Sequence, residues 1–211
     1  KVAIIGSGPS GLAAAWFLAL SGIGVTVFEA QDRPGGMPAI APHFRLPEAV
    51  LQADIDRIRT LGIEIRLNHP VTEAPQELLK QGYAAVYVAC GFPQDAGLRL
   101  DGIEGDGVFT ALRFLRQVAQ GERPDLGRHV LVIGGGNTAM DAARTAQRLT
   151  GQPVTVVYRR TRAEMPAEEE EVRELLAEGN RLLELATPTR VIREQGKVVA
   201  LECVRNALGE P

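Results

Sequence analysis

Residues 1–30, KVAIIGSGPSGLAAAWFLALSGIGVTVFEA, decide the fold. An apolar strand over 2–5 runs into Gly6-x-Gly8-x-x-Gly11, a helix follows, and a second strand over 25–28 ends at Glu29. The first glycine allows a tight turn, the second lets backbone approach a pyrophosphate, and the third lets the helix pack close to the strand. The helix start offers free N–H groups and a positive dipole end to phosphates. Glu29, 18 residues after Gly11, is placed to accept hydrogen bonds from ribose hydroxyls. Strand, glycines, helix, strand and acid in this order read as a dinucleotide-binding βαβ unit. The alternative is a glycine-rich turn in another α/β fold.

The pattern returns over residues 129–162, HVLVIGGGNTAMDAARTAQRLTGQPVTVVYRRTR. A strand over 130–133 meets Gly134-x-Gly136-x-x-Ala139, a helix runs to about 149, and a strand covers 154–158. Alanine in the third place still permits close helix–strand contact. No acid ends this second strand; Arg159 and Arg160 stand there, with Arg162 near. A carboxylate repels a 2′-phosphate, whereas guanidinium groups hold one by charge-assisted bonds. The first unit therefore suits a nucleotide with a free 2′-hydroxyl, FAD or NAD, and the second suits NADP(H). The alternative for the arginine pair is a solvated basic strand end.

The 211 residues allow one large domain or two small ones, and 45% hydrophobic residues suffice for a core. A net charge of −3 argues against general affinity for nucleic acid or anionic membrane. No apolar run is long enough for a membrane span, and the serines and spaced glycines of residues 2–28 fit a βαβ unit better than a signal peptide. Cys90 and Cys203 form no CxxC, which argues against a redox disulfide, a zinc site or an iron–sulfur cluster in this chain and suits a reducing cytoplasm. His43, His69 and His129 are scattered without ligand spacing. No catalytic residue and no metal ligand is assigned.

Between and after the two units the pattern is coarser. The loop over 31–47 carries Gly35-Gly36, which permits close approach to a ligand or a plain turn. Helices are expected over 47–60, 75–80 and 110–120, and strands over 63–67 and 83–89, the last ending at Cys90-Gly91. Residues 91–107 read as a connector. Pro166 and the acids Glu168 to Glu171 fit a helix start. Strands are expected over 182–185, 190–194 and 198–204, the last two joined as a hairpin at 195–197. Opening on a strand and stopping at LGEP, the chain reads as a fragment or as the ordered part of a longer protein.

These motifs resemble the glutamate synthase small-subunit family, with the FAD- and NADPH-binding part of dihydropyrimidine dehydrogenase and the putative selenate reductase flavoprotein subunit as relatives. Adrenodoxin reductase is a more distant one. The resemblance spans the whole chain and rests on GSGPSGL with Glu29, Gly35-Gly36, FRLP at 44–47, GGGNTAMDAAR at 134–144, VVYRRTRAEMPA at 156–167 and GKVVALECVR at 196–205. It implies an α/β fold with two Rossmann-like units, an NADP domain inserted in an FAD domain and truncated: 1–124 FAD-binding, 125–211 NADP-binding. By matching position, Gly6, Gly8, Ser10 and Gly11 would hold the FAD pyrophosphate and Glu29 the adenosine ribose. Gly36, Met37 and Arg45 would line the flavin side, Val71 would meet the adenine region, and Ala89 to Gly91 would pass near the cofactor. Gly134, Gly136, Asn137, Thr138 and Ala139 would hold the NADPH pyrophosphate, with Arg159 and Arg160 on the 2′-phosphate. Glu171 would lie near the nicotinamide nucleotide. The loop after Gly36 and the cysteine at position 90 depart from the family pattern. The implied activity is hydride transfer from NADPH to FAD, with electrons passing to iron–sulfur clusters on a domain or subunit outside this segment. Family members add cysteine-rich segments before it and a closing FAD segment after it, so the segment alone is expected to hold little flavin and to be inactive. The alternatives are an adrenodoxin-reductase-like ferredoxin–NADP reductase and a non-catalytic dinucleotide-binding module.

Overall fold

The apolar runs become parallel strands, and each glycine turn joins a strand to a helix. A computed structural model describes residues 1–92, 95 and 97–209; residues 93, 94 and 96 of the expected connector and 210–211 of the terminal turn lie outside the described residues. The chain divides into two compact units, Lys1–Gln94 and Asp95–Pro211.

In the first unit, β1 (Val2–Ile5), β2 (Val25–Phe28), β3 (Glu64–Arg66) and β4 (Ala85–Val88) form a parallel sheet in the order β3-β2-β1-β4. Val2 pairs with Val25 on one side and Ala85 on the other, so β1 is central. All four residues of β2 are buried, as expected of a parallel strand covered on both faces. Ile4, Val25, Val27 and Ile63 meet Ala15 of α1 (Pro9–Leu20) and Ile58 of α2 (Glu48–Arg59) on one face. Ala3 and Phe28 meet Leu78 of α3 (Pro75–Lys80) on the other.

The second unit repeats the plan with β5 (Leu131–Ile133), β6 (Thr155–Val157) and β7 (Arg181–Leu183), again parallel and in the order β5-β6-β7. The helices α4 (Ala111–Ala119), α5 (Asn137–Thr150) and α6 (Glu169–Ala177) share one core with this sheet, in which Met140, Ala143, Val154, Val156 and Leu175 have almost no exposed surface. Phe114 and Leu115 of α4 belong to that core, and the Asp95 carboxylate accepts a hydrogen bond from the Leu112 N–H at 3.0 Å. Asp95 and the α4 segment therefore pack with the second unit, whereas the domain division implied by the resemblance runs to 124. The β8 (Ala186–Glu194) and β9 (Lys197–Arg205) hairpin turns at Gln195–Gly196, and both strands run longer than their apolar residues suggest.

Where α5 faces α6, the nearly buried Arg144 donates to Glu178 at 2.7 Å and to Glu171 at 3.2 Å. Arg148 donates to Glu178 as well, at 2.7 Å. The Arg148 guanidinium, and then Arg144, hold the Glu178 carboxyl down at about 2 against the opposing effect of burial. Among the described residues, no helix is long and apolar enough to cross a membrane.

Candidate functional site

The first cradle lies at the C-terminal ends of β1 and β2. The N–H of Gly6 donates to the Phe28 carbonyl at 2.8 Å, which sets the turn beside the end of β2. Gly6 has a φ of +102°, and a Cβ there would stand 2.5 Å from the Ala89 carbonyl oxygen. A Cβ on Gly11 would overlap the Gly6 carbonyl. Gly8 precedes α1, accepts the first helical bond from Leu12 at 2.9 Å, and leaves the helix start without a side-chain cap. The unsatisfied first-turn amides therefore face whatever occupies the space before the helix. Gly36 closes this space from the loop: its φ is +63°, and a Cβ would come within 2.6 Å of Gly8 Cα.

Glu29 ends β2 almost fully buried, at 7% exposure. Its Oε2 accepts from Ser7 N–H and Ser7 Oγ, and its Oε1 accepts from Gln31 N–H. The Glu29 carbonyl accepts from His69 N–H at 2.8 Å, and this bond brings the segment leading to Val71 beside the acid. Val71 itself packs against the Phe28 cluster. Ser10 lies exposed in the first turn of α1 with its Oγ 2.8 Å from Tyr87 Oη. Ala89 is pinned by its N–H to the Ile5 carbonyl, 2.8 Å, and Gly91 is exposed just beyond. The exposed Met37 opens a 3-10 turn, Met37–Ile40, and the exposed Arg45 follows it on the same loop. The structure thus gathers Gly6, Gly8, Gly11, Glu29, Gly36 and Ala89 tightly, and places Met37 and Arg45 farther along that loop.

The second cradle is built alike at the ends of β5 and β6. Gly134 N–H donates to Val157 at 3.1 Å, Gly136 precedes α5 without a side-chain cap, and the buried Ala139 packs its methyl 3.4 Å from where a Gly134 Cβ would lie. Asn137 and Thr138 form the half-buried first turn. Arg159 and Arg160 are exposed past the end of β6, and among the described residues their guanidinium groups make no ion pair or hydrogen bond. Their backbone is held: Asn206 Nδ2 donates to the Arg159 carbonyl at 2.7 Å and Leu185 N–H to that of Arg160 at 3.1 Å. Two free cations on a fixed backbone suit an anionic ligand.

Sequence reasoning missed the fasteners. Tyr158 lies under Gly135 and donates its hydroxyl to the Glu164 carbonyl at 2.8 Å. Ala167 N–H donates to the Gly135 carbonyl at 3.0 Å. Pro166 therefore lies in a strap over the second turn, and α6 begins only at Glu169. Glu171 is spent on Arg144. Ser7 and Asn206 give no local signal for their bonds: Ser7 lies 22 residues from Glu29, and Asn206 lies 47 residues from Arg159.

Residues 1–206 match the family described as pyridine nucleotide-disulphide oxidoreductase. The chain belongs to this family. Within it, the chain is 44% identical over 216 residues to the NADP(+)-dependent formate dehydrogenase subunit beta of Moorella thermoacetica, covering all of this chain and 31% of that one. It is 35% identical over 225 residues to the glutamate synthase [NADPH] small chain of Escherichia coli, covering all of this chain and 48% of that one. That match bears out the resemblance read from the motifs. The chain spans about a third of the length of the formate dehydrogenase subunit and of an NADPH-Fe(3+) oxidoreductase subunit beta that it also matches, at 41% identity. In fold it follows Thermoplasma acidophilum (T. acidophilum) thioredoxin reductase, with a TM-score of 0.73 at 22% identity over 99% of this chain and 71% of that one. It also follows a 2-naphthoyl-CoA reductase complex, with a TM-score of 0.76 at 22% identity over 98% of this chain and 32% of that one.

Proposed function

We propose that this chain is the nucleotide-binding segment of an NADPH-dependent flavoprotein oxidoreductase, with FAD in the first cradle and NADPH in the second. The observation that carries the reading is the contrast between the two cradles. The β2 terminus buries a carboxylate beside its glycine turn, and the equivalent β6 terminus offers two exposed arginines, unpaired among the described residues, beside the other. The fit of the residues supports it, because Gly6, Gly11 and Gly36 leave no room for a Cβ against neighbouring backbone, and Gly8 stands at an uncapped helix start.

In this reading Glu29 holds a ribose hydroxyl, the α1 and α5 amides hold pyrophosphates, and Arg159 and Arg160 select the 2′-phosphate. Met37 and Arg45 border the flavin end. Bound FAD supplies hydride acceptance from NADPH and one-electron release to iron–sulfur clusters on a partner domain or subunit. The chain's own contribution is position and electrostatics, so no acid–base pair is required of it. The names of its relatives give NADP(H) in three cases, formate dehydrogenase, Fe(3+) reduction and glutamate synthase, and NAD in one, dihydropyrimidine dehydrogenase, so the redox partner differs among them and the choice of NADPH here rests on the arginine pair. The reading therefore stops at the module that exchanges electrons between the nicotinamide nucleotide and FAD, in a cytoplasmic setting.

The test is anaerobic mixing of the full-length, FAD-loaded protein with NADPH or NADH. Bleaching of the flavin absorbance by NADPH well ahead of NADH is expected. No bleaching by either nucleotide would leave a non-catalytic binding module as the better account.

A further inference from the structure

Past the end of β6 at Val157, successive carbonyls are pinned by the chain that returns beside them. Ala186 N–H donates to the Tyr158 carbonyl at 3.0 Å, Asn206 Nδ2 to that of Arg159 at 2.7 Å, and Leu185 N–H to that of Arg160 at 3.1 Å. The outer donors are backbone; the middle one is a side chain. The peptide it pins joins Arg159 to Arg160, so it fixes ψ of the first and φ of the second, and with them how the two side chains leave the backbone. Asn206 is itself held. Its N–H donates to the Leu185 carbonyl at 2.7 Å, and its amide meets Thr187 Oγ1, with Nδ2 at 2.8 Å and Oδ1 at 3.2 Å. It is half-buried and stands one residue past β9, whose Arg205 pairs with Ala186 of β8.

We propose that Asn206 is a positioning residue for nucleotide selection: by pinning the peptide between Arg159 and Arg160 it holds the pair in the backbone geometry that brings both guanidinium groups to one 2′-phosphate. The proposal rests on the NADPH reading of the second cradle. Two long cations share one anion well only when their roots do not turn independently, because each free rotation must be frozen on binding. Replacing Asn206 by alanine removes the amide alone. The outer carbonyls stay pinned, the Asn206 N–H bond to Leu185 survives, and both arginines remain. Any loss on the 2′-phosphate then comes from their placement.

The experiment uses the full-length, FAD-loaded protein, titrated calorimetrically with NADP⁺ and NAD⁺, neither of which can give hydride to oxidised flavin. In Asn206→Ala the Kd for NADP⁺ rises roughly three- to tenfold, the range of one hydrogen bond, and that for NAD⁺ stays within about twofold. The same substitution in a chain already carrying Arg159→Ala and Arg160→Ala changes neither Kd, because the cations it places are gone. An unchanged Kd for NADP⁺, equal losses for both nucleotides, or an equal loss in the chain lacking the arginines overturns the proposal and leaves Asn206 a merely structural residue. Should Asn206→Ala not fold, Thr187→Val takes its place: with the amide no longer oriented, NADP⁺ weakens by about twofold or more and NAD⁺ does not, and an unchanged ratio overturns the proposal. A wild type that prefers NADP⁺, beside an indifferent Asn206→Ala, overturns only the role of Asn206. A wild type that binds NAD⁺ as tightly as NADP⁺ overturns the NADPH reading and this proposal with it.

Discussion

Asn137 Oδ1 accepts a hydrogen bond from the backbone N–H of Glu168 at 2.8 Å, across 31 residues of sequence. The bond ties the first turn of α5 to the residue that precedes α6. Together with the Ala167–Gly135 and Tyr158–Glu164 bonds it turns residues 158–168 into a strap fixed over the second glycine turn.

That strap makes Gly135 sensitive. A Cβ there would lie 2.5 Å from the Tyr158 ring, and the ring cannot swing aside while its hydroxyl holds Glu164. Gly135→Ala is expected to cost ~1–3 kcal/mol, the usual range for overpacking. Thermal unfolding checks it, and Gly135→Ala should cost less in a Tyr158→Ala background than in the wild type, because that background lacks the obstructing ring.

Arg159→Ala with Arg160→Ala should weaken NADPH roughly tenfold or more, on the scale of a charge-assisted bond at ~1.5–3 kcal/mol, and leave NADH little changed. Both side chains are exposed, so folding should not suffer. Calorimetric titration with each nucleotide reads the ratio. Equal losses for both would remove the basis for 2′-phosphate selection.

Gly8 and Gly36 face each other yet should fail differently. Gly8 has a φ of −71°, and a Cβ on it would meet only Gly36 Cα at 3.9 Å, an ordinary contact. Gly8→Ala is therefore expected to fold normally and to lose flavin, because the methyl fills the phosphate space. At Gly36 a Cβ meets backbone at 2.6 Å with φ at +63°, so Gly36→Ala should lower the melting temperature as well. Melting curves beside flavin content separate the two. A destabilised Gly8→Ala that keeps its flavin would contradict the cradle.

Glu178 gives the second unit an acid-sensitive joint. Its carboxyl is held at about 2, below the ordinary 4.5, chiefly by Arg148 and then by Arg144. A depressed folded-state value means that the contribution is complete above about pH 4.5 and is lost as the pH falls toward 2; linkage puts its size at ~3 kcal/mol. Urea unfolding between about pH 6 and pH 3 should show this slope, and Glu178→Gln should flatten it. An identical slope in the variant would assign the acid sensitivity elsewhere.

Local chemistry alone determined the two βαβ units. A strand, a turn with glycines at set places and a helix depend on neighbours in the chain, and so do the acid at 29 and the arginines at 159 and 160. Tertiary structure alone decided which elements share a core and what the polar groups do there. The apolar face of α4 has the same pattern whichever unit it joins, and only the packing of Phe114 and Leu115 assigns it to the second. Ser7 looks like a spacer until Glu29, 22 residues on, is folded against it. Asn206 has no local signal either, since its partner Arg159 lies 47 residues away and reaches it only through the crossing of the chain. Periodicity records which residues want burial; hydrogen bonds between distant segments exist only once burial has brought those segments together.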